Sequence, residues 1–253
     1  HARRAGFRLI PVAREAWLRP AEFDLSAPAR ASLRRKIRQA ARAGVTVRAF
    51  DPDTAGDTLP IACLARIAGD WPRGRAARGG ARAREHGFSM GRFAPDYVSG
   101  QIVLVAEHRG TSCAFLSLHK GRNEWVLDLT RNAAAAPSGT MQALVAEAIA
   151  LARARGVARL SLAAIPPDPA ALAGRGPAAR LAARLIAHAA GDGRARFKRD
   201  FAPRTTPLYL AAHGRVGLVL SGLAIRRQIV RPPPPSPVGD SASAAGIMRR
   251  VAG

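Results

Sequence analysis

The chain has 253 residues, of which 48% are hydrophobic, enough for a packed core in one large domain or two small ones. A net charge of +23 and a pI near 11.8 point to polyanions, either nucleic acid or anionic lipid headgroups, as partners; only Lys36, Lys120 and Lys198 are lysines, so the excess is almost wholly arginine. Cys63 and Cys113 lack C-x-x-C or zinc spacing, which argues against a disulfide framework and a metal site, and no apolar run approaches the ~18 residues of a membrane span.

Gly6 to Trp17 reads as a strand and a turn containing Glu15. The chain starts at His1, without a methionine and inside strand-like sequence, so further N-terminal sequence is expected. Pro28 to Gly44 reads as a helix capped by Ser26 or a neighbour and stopped by Gly44. Leu33, Ile37, Ala40 and Ala41 form its narrow apolar stripe, while Arg30, Arg34, Arg35, Lys36, Arg38 and Arg42 crowd the rest. Six cations without an acid repel one another unless a partner neutralises them, which favours a face for phosphates or an anionic membrane over a merely solvated one.

Val45 to Phe50 reads as a strand and Thr58 to Asp70 as a helix. The Gly- and Arg-rich stretch from Trp71 to His86 has little periodicity; it suits either a loop ordered by RNA phosphates or an exposed linker. Phe88, Phe93 and Tyr97 read as core aromatics. Ile102 to His108 and Cys113 to His119 form a hairpin about Arg109-Gly110 and pair with Trp125 to Leu129 as an antiparallel meander. This third strand ends near Thr130, before an Ala-Ala-Pro-Ser-Gly turn.

The helix that follows from Gly139 places Met141, Leu144, Val145, Ala148 and Ala152 at helical spacing and stops at Gly156. Ala158 to Ile165 is a short apolar strand, parallel to the preceding one through a right-handed crossover. Asp128 and Arg131 then fall at the edge where ligands bind open α/β sheets. After a loop from Pro166 to Pro177 comes a helix from Ala178 to Ala190, with His188 on its surface or at its end. A basic aromatic segment from Arg194 to Pro203, a last strand from Leu208 to Ala212 and a disordered tail around Pro232 to Pro235 complete the chain.

Five blocks in order carry a resemblance. They are Glu15-Ala16 after Gly6-Phe7; Leu33-Arg34 to Gly44; Gly87-Phe-Ser-Met-Gly-Arg-Phe93 with Tyr97; Leu-Asp128-Leu-Thr-Arg131 with the Pro-Ser-Gly turn and the run to Pro166; and Phe197-Lys198, Phe201, Pro203 and Tyr209-Leu210. Together they resemble the tRNA-dependent phosphatidylglycerol lysyltransferase and alanyltransferase family across most of the chain.

The resemblance implies an α/β fold of tandem Gcn5-related acyltransferase-like lobes, each a mixed sheet flanked by helices. Residues 1–85 would be the later part of an incomplete first lobe, 86–215 a second lobe with the active site, and 216–253 a tail disordered after 231. It implies Asp128 and Arg131 as catalytic residues and Glu15, Arg34, Arg38, Lys198, Phe201 and Tyr209 as substrate-binding ones. Aminoacyl-tRNA would be the co-substrate and phosphatidylglycerol the acceptor, at the cytoplasmic membrane face, the chain being either peripheral or tethered by an N-terminal transmembrane region outside this sequence. The chain departs from the family's pattern at Pro11, Asp200 and Thr205, where the family carries lysine, lysine and tryptophan.

The turn before the central helix lacks the Arg/Gln-x-x-Gly-x-Gly/Ala spacing that would cradle a coenzyme A pyrophosphate, and no Ser/His/Asp arrangement or nucleophile elbow stands out. Direct transfer from an already activated ester needs neither. Two rivals remain: the same fold with another acceptor, and a non-catalytic module that binds RNA or membrane.

Overall fold

The computed structural model describes residues 4–77, 93–166 and 192–214, with single positions as far as 227. Among these, seven strands form one sheet: β1 (Phe7–Leu18), β2 (Val45–Phe50), β3 (Ile102–His108), β4 (Thr111–Lys120), β5 (Glu124–Asn132), β6 (Arg159–Ile165) and β7 (Arg204–His213). Their order is β2-β3-β4-β5-β6-β1-β7, and every neighbouring pair is antiparallel except β5 and β6. The helices are α1 (Ala31–Arg42), α2 (Ile61–Ala77), α3 (Pro95–Ser99), α4 (Thr140–Ala154) and α5 (Asp192–Arg199).

β3 is buried along Ile102–Ala106, as its unbroken apolar run requires of a central strand covered on both faces. One face carries the larger core, where Leu33 of α1 and Leu144, Val145, Ala148, Ile149 and Ala152 of α4 meet Leu104, Leu116, Leu127 and Leu160. The other carries a smaller core, in which Leu64, Ile67 and Ala68 of α2 and Val98 of α3 cover Val103, Val105, Phe115 and Leu129. The strands of the smaller core stop at β5, whereas the larger core runs on through β6 and β1 to Phe201.

The meander, the parallel crossover and β2 follow the sequence reading; the hairpin turn has φ values of 52° at Arg109 and 74° at Gly110, the left-handed pair that a two-residue hairpin favours. Four boundaries differ. α2 continues to Ala77, through part of the stretch expected to be irregular, because Trp71 extends the helical spacing of Leu64, Ile67 and Ala68. α1 is entered through a 3-10 turn at Pro28–Arg30 without a side-chain cap, since the cap positions fall on Ala27 and Arg30, which carry no acceptor, while Ser26 donates to Asp24. β7 starts four residues early, at Arg204. β5 runs to Asn132, so Arg131, expected just past a strand end near Thr130, lies inside the strand with Asp128.

The Pro-Ser-Gly turn has a structural reason. Gly139 adopts a φ of 88°, and a Cβ there would overlap the carbonyl oxygen of Lys36, so α1 and the start of α4 can meet only at a glycine. The expected boundary near residue 85, the Gly87–Arg92 part of the third block, the helix from Ala178 with His188, and the tail after 227 lie outside the described residues. β1 and β2, from the N-terminal side of that boundary, share the sheet with the strands that follow it.

Candidate active site

β5 and β6 pair only over Glu124–Val126 and Arg159–Ser161. An extra residue enters each strand close to where this pairing stops. On β5, Leu116 faces Thr130 while Leu118 faces Leu127, so Asp128 and Leu129 together oppose Ser117. On β6, Ser161 faces Trp17 while Ala164 faces Glu15, so Leu162 and Ala163 oppose Ala16, and Ala163 takes a φ of 62°. In each case a serine hydroxyl accepts a displaced backbone N–H: Leu129 N–H donates to Ser117 Oγ at 3.2 Å, and Ala163 N–H to Ser161 Oγ at 3.1 Å. Bulges re-aim side chains and are common beside active sites.

On β5 the consequence is specific. In a regular strand residues three apart face opposite ways. The bulge brings Asp128, Leu129 and Arg131 to the α2/α3 face: Leu129 joins the smaller core, and the Arg131 guanidinium stacks 4.4 Å from the Trp71 ring centre. Asp128 Oδ2 accepts from the Tyr97 hydroxyl at 2.9 Å and from Gln101 Nε2 at 3.2 Å, with His119 Nε2 at 3.5 Å. Tyr97 Oη and His119 Nε2 are 2.9 Å apart. Burial, then the Asp128 carboxylate, push the Tyr97 phenol up to about 12, so it serves this cluster as a protonated donor. Tyr97 and His119 are open to solvent while Gln101 is buried, giving the cluster a wet mouth and a closed floor.

Glu15 lies across the gap. Its carboxylate takes the Ser161 hydroxyl at 2.6 Å and Arg159 at 2.7 Å, and Arg159 also binds Glu124. Burial acts to raise the Glu15 pKa, but the Ser161 and Arg159 hydrogen bonds prevail and hold it below the usual carboxylate range. Trp125 and Leu160 point into the larger core, so Val126 and Ser161 face the opposite side, the side of Asp128. Lys198 donates to the Ala164 carbonyl at 2.9 Å, beside the β6 bulge.

The remaining expected site residues fall elsewhere. Phe201 is fully buried in the larger core, edge-on to Phe197, where it packs the fold. Arg34 holds the carbonyls of Leu25, Ser26 and Ala27, which makes it a clamp for the loop before α1. Arg38 is exposed on α1, and Tyr209 is exposed on the edge strand β7. The Asp200 departure is matched by Lys36, whose ammonium meets it at 2.6 Å. Of the expected core aromatics, Phe93 packs against Phe115, but Tyr97 is 43% exposed and belongs to the polar cluster. Gln101 and His119 carry no motif; the only sequence signal for His119 is that it continues the alternation of Phe115 and Ser117 along β4.

A seven-stranded mixed sheet whose two parallel strands part beside a polar cluster, with a helix crossing between them, defines a mixed α/β fold. The family described as phosphatidylglycerol lysyltransferase, C-terminal, matches residues 1–212, and the chain belongs to it. The C-terminal domain of a protein described as a lysylphosphatidylglycerol synthetase from Agrobacterium fabrum has the same fold, with a TM-score of 0.71 at 24% identity over 90% of this chain and 68% of that one. L-PGS from Bacillus licheniformis gives a TM-score of 0.73 at 23% identity, over 90% and 69%. In sequence, the lysylphosphatidylglycerol biosynthesis bifunctional protein LysX of Mycobacterium tuberculosis is 34% identical over 190 residues, 71% of this chain. The LysX of Mycobacterium avium is 33% identical over 170 residues. The chain spans only 15% and 13% of the length of these two relatives.

Proposed function

We propose that this chain transfers an aminoacyl group, lysyl or alanyl, from aminoacyl-tRNA to phosphatidylglycerol at the cytoplasmic membrane face, which lowers the negative charge of the lipid. The observation that carries the proposal is the Asp128–Tyr97–His119 cluster, set on a bulge where β5 and β6 separate. The donor arrives as an activated ester, so the protein has to align the lipid hydroxyl with the ester carbonyl and handle one proton. The hydroxyl oxygen attacks the carbonyl carbon and its proton passes to the cluster, His119 being the solvent-facing base. The bond from the carbonyl carbon to the tRNA ribose oxygen then breaks, and that oxygen takes the proton back. Asp128 orients this pair and attracts the ammonium of the aminoacyl group. Arg131, 3% exposed and stacked on Trp71, adds fixed positive charge to the field on the same face, which favours a nearby phosphate of the tRNA terminus or of the lipid without direct contact.

Labelled aminoacyl-tRNA incubated with phosphatidylglycerol vesicles tests the reading. Label is expected in the extracted lipid with the wild-type chain and is expected to be lost with Asp128→Asn. Undiminished transfer by the variant removes Asp128 from the site, and absence of transfer by the wild-type protein removes the reaction.

One observation favours the non-catalytic reading. Arg35, Arg38 and Arg42 lie exposed along one stripe of α1, with no partner among the described residues, and such a row binds phosphates whether or not chemistry follows. Vesicle and tRNA binding without movement of label would select it.

A further inference from the structure

Gln101 stands between α3 and β3, 4% exposed, beneath the polar cluster. Its Nε2 donates to Asp128 Oδ2, and its Oε1 is buried without a hydrogen-bond partner. This orientation is imposed by its neighbour, because turning the amide over would set Oε1 against a carboxylate oxygen, which can only accept. An acceptor buried in this way costs about 1–3 kcal/mol when nothing completes it. Asp128 has acceptor capacity to spare: Oδ2 takes the bonds from Tyr97 and Gln101, while Oδ1 receives none from the described residues and the side chain is 13% exposed. No lysine or arginine among those residues pairs with this carboxylate.

We infer that Gln101 Oε1 and Asp128 together receive the α-ammonium of the aminoacyl group, and that Gln101 is the residue that selects donors carrying a free amine. The inference rests on the aminoacyl-transfer reading and names the group recognised at that site. An ammonium brings three N–H donors and a positive charge, which suits one charged and one neutral acceptor on adjoining side chains. A second carboxylate in place of Gln101 would repel Asp128, whereas an amide adds an acceptor and at the same time donates to Asp128. The α-ammonium is the group that lysyl and alanyl donors share, so selection here discriminates aminoacyl esters from plain acyl esters rather than one amino acid from another.

Gln101→Met keeps the length and volume of the side chain and removes both the Oε1 acceptor and the Nε2 donor to Asp128, so the two donors are compared to separate these losses. Transfer is compared between alanyl-tRNA and the same tRNA carrying a propionyl ester, which differs only in lacking the amine. The variant is expected to lose at least about tenfold more with alanyl-tRNA than with the propionyl ester, the extra loss falling in KM; tenfold corresponds to about 1.4 kcal/mol. An equal loss for both donors makes Gln101 a mere support for Asp128 and overturns the inference.

Wild-type protein alone supplies a second arm, free of any folding defect and of any need for transfer. Alaninamide is expected to bind well above propionamide and to shift the side-chain NH2 resonances of Gln101. Equal binding of the two amides, or unmoved Gln101 resonances at saturation, overturns the inference. If alaninamide binds in this way but no label ever reaches lipid, the transfer reading falls and the ammonium site stands.

Discussion

Tyr97 lies at the point where the site meets solvent, and its pKa makes a measurable prediction. Its phenol is raised to about 12 from an ordinary value near 10. The folded state therefore holds this proton more tightly than the unfolded chain, so the stability it contributes is complete below about pH 10 and is lost as pH climbs toward 12. The chain has two tyrosines, so an ultraviolet titration of the folded protein is expected to show a late tyrosinate transition that disappears in Tyr97→Phe. Survival of that late transition in the variant would show that Tyr97 is not the group held protonated. Ser117 gives a second prediction at this scale. Its hydroxyl is the acceptor for the buried Leu129 N–H, so Ser117→Ala is expected to cost about 1–3 kcal/mol in denaturant unfolding and to lower transfer by letting Asp128 swing from the cluster. Asp128 was legible because its motif carries it. His119 and Gln101 were not, because a lone histidine or glutamine acquires meaning only from what a bulge and a short helix bring beside it.

Between elements, the firmest constraint is the crossing of α1 over the start of α4. A methyl group at Gly139 meets backbone and not a side chain that can turn away, and the residue also sits at positive φ. Gly139→Ala is expected to cost at least about 3 kcal/mol, more than the usual 0.5–3 kcal/mol of a point substitution, read as a fall in midpoint on thermal or denaturant unfolding. A second joint ties the far ends of β2, β4 and α4, where Asp51, 7% exposed, is bound by Arg155 and Lys120. Burial acts to raise the Asp51 pKa, but Arg155 and the Asp53 N–H lower it overall, so its contribution is present at neutral pH and is lost on acidification through its folded value. Arg155→Ala is expected to cost about 2 kcal/mol at pH 7, with a smaller difference from wild type at low pH. Most elements were legible from periodicity and turn residues, because α4, β2 and the meander bury faces that match their own repeats. The end of β5 was not, since its last residues are held by pairing with β4, a tertiary cause that local composition does not carry.

For the whole molecule, the question is how a charge of +23 is spent. α1 shows that cations counted together in sequence divide in the fold. Arg30 and Arg34 hold backbone carbonyls, Lys36 pairs with Asp200, and Arg35, Arg38 and Arg42 remain exposed as one row. Binding to tRNA is expected to weaken as salt rises, and Arg35→Glu with Arg38→Glu and Arg42→Glu is expected to reduce the slope of log affinity against log salt by about 0.9 for each duplex phosphate that the row no longer neutralises. An unchanged slope would place the polyanion on another face. The position of β1 carries a different consequence, for the order in which the chain can fold. The first of the described strands lies between β6 and β7, with Phe7 facing His213, so its two neighbours are the last two described strands in the sequence. Loop closures of such length are slow to form. β1 therefore has no partner strand until β6 has been made, after β2, β3, β4 and β5, and that interval is one in which its apolar residues are open to misassociation and to chaperones.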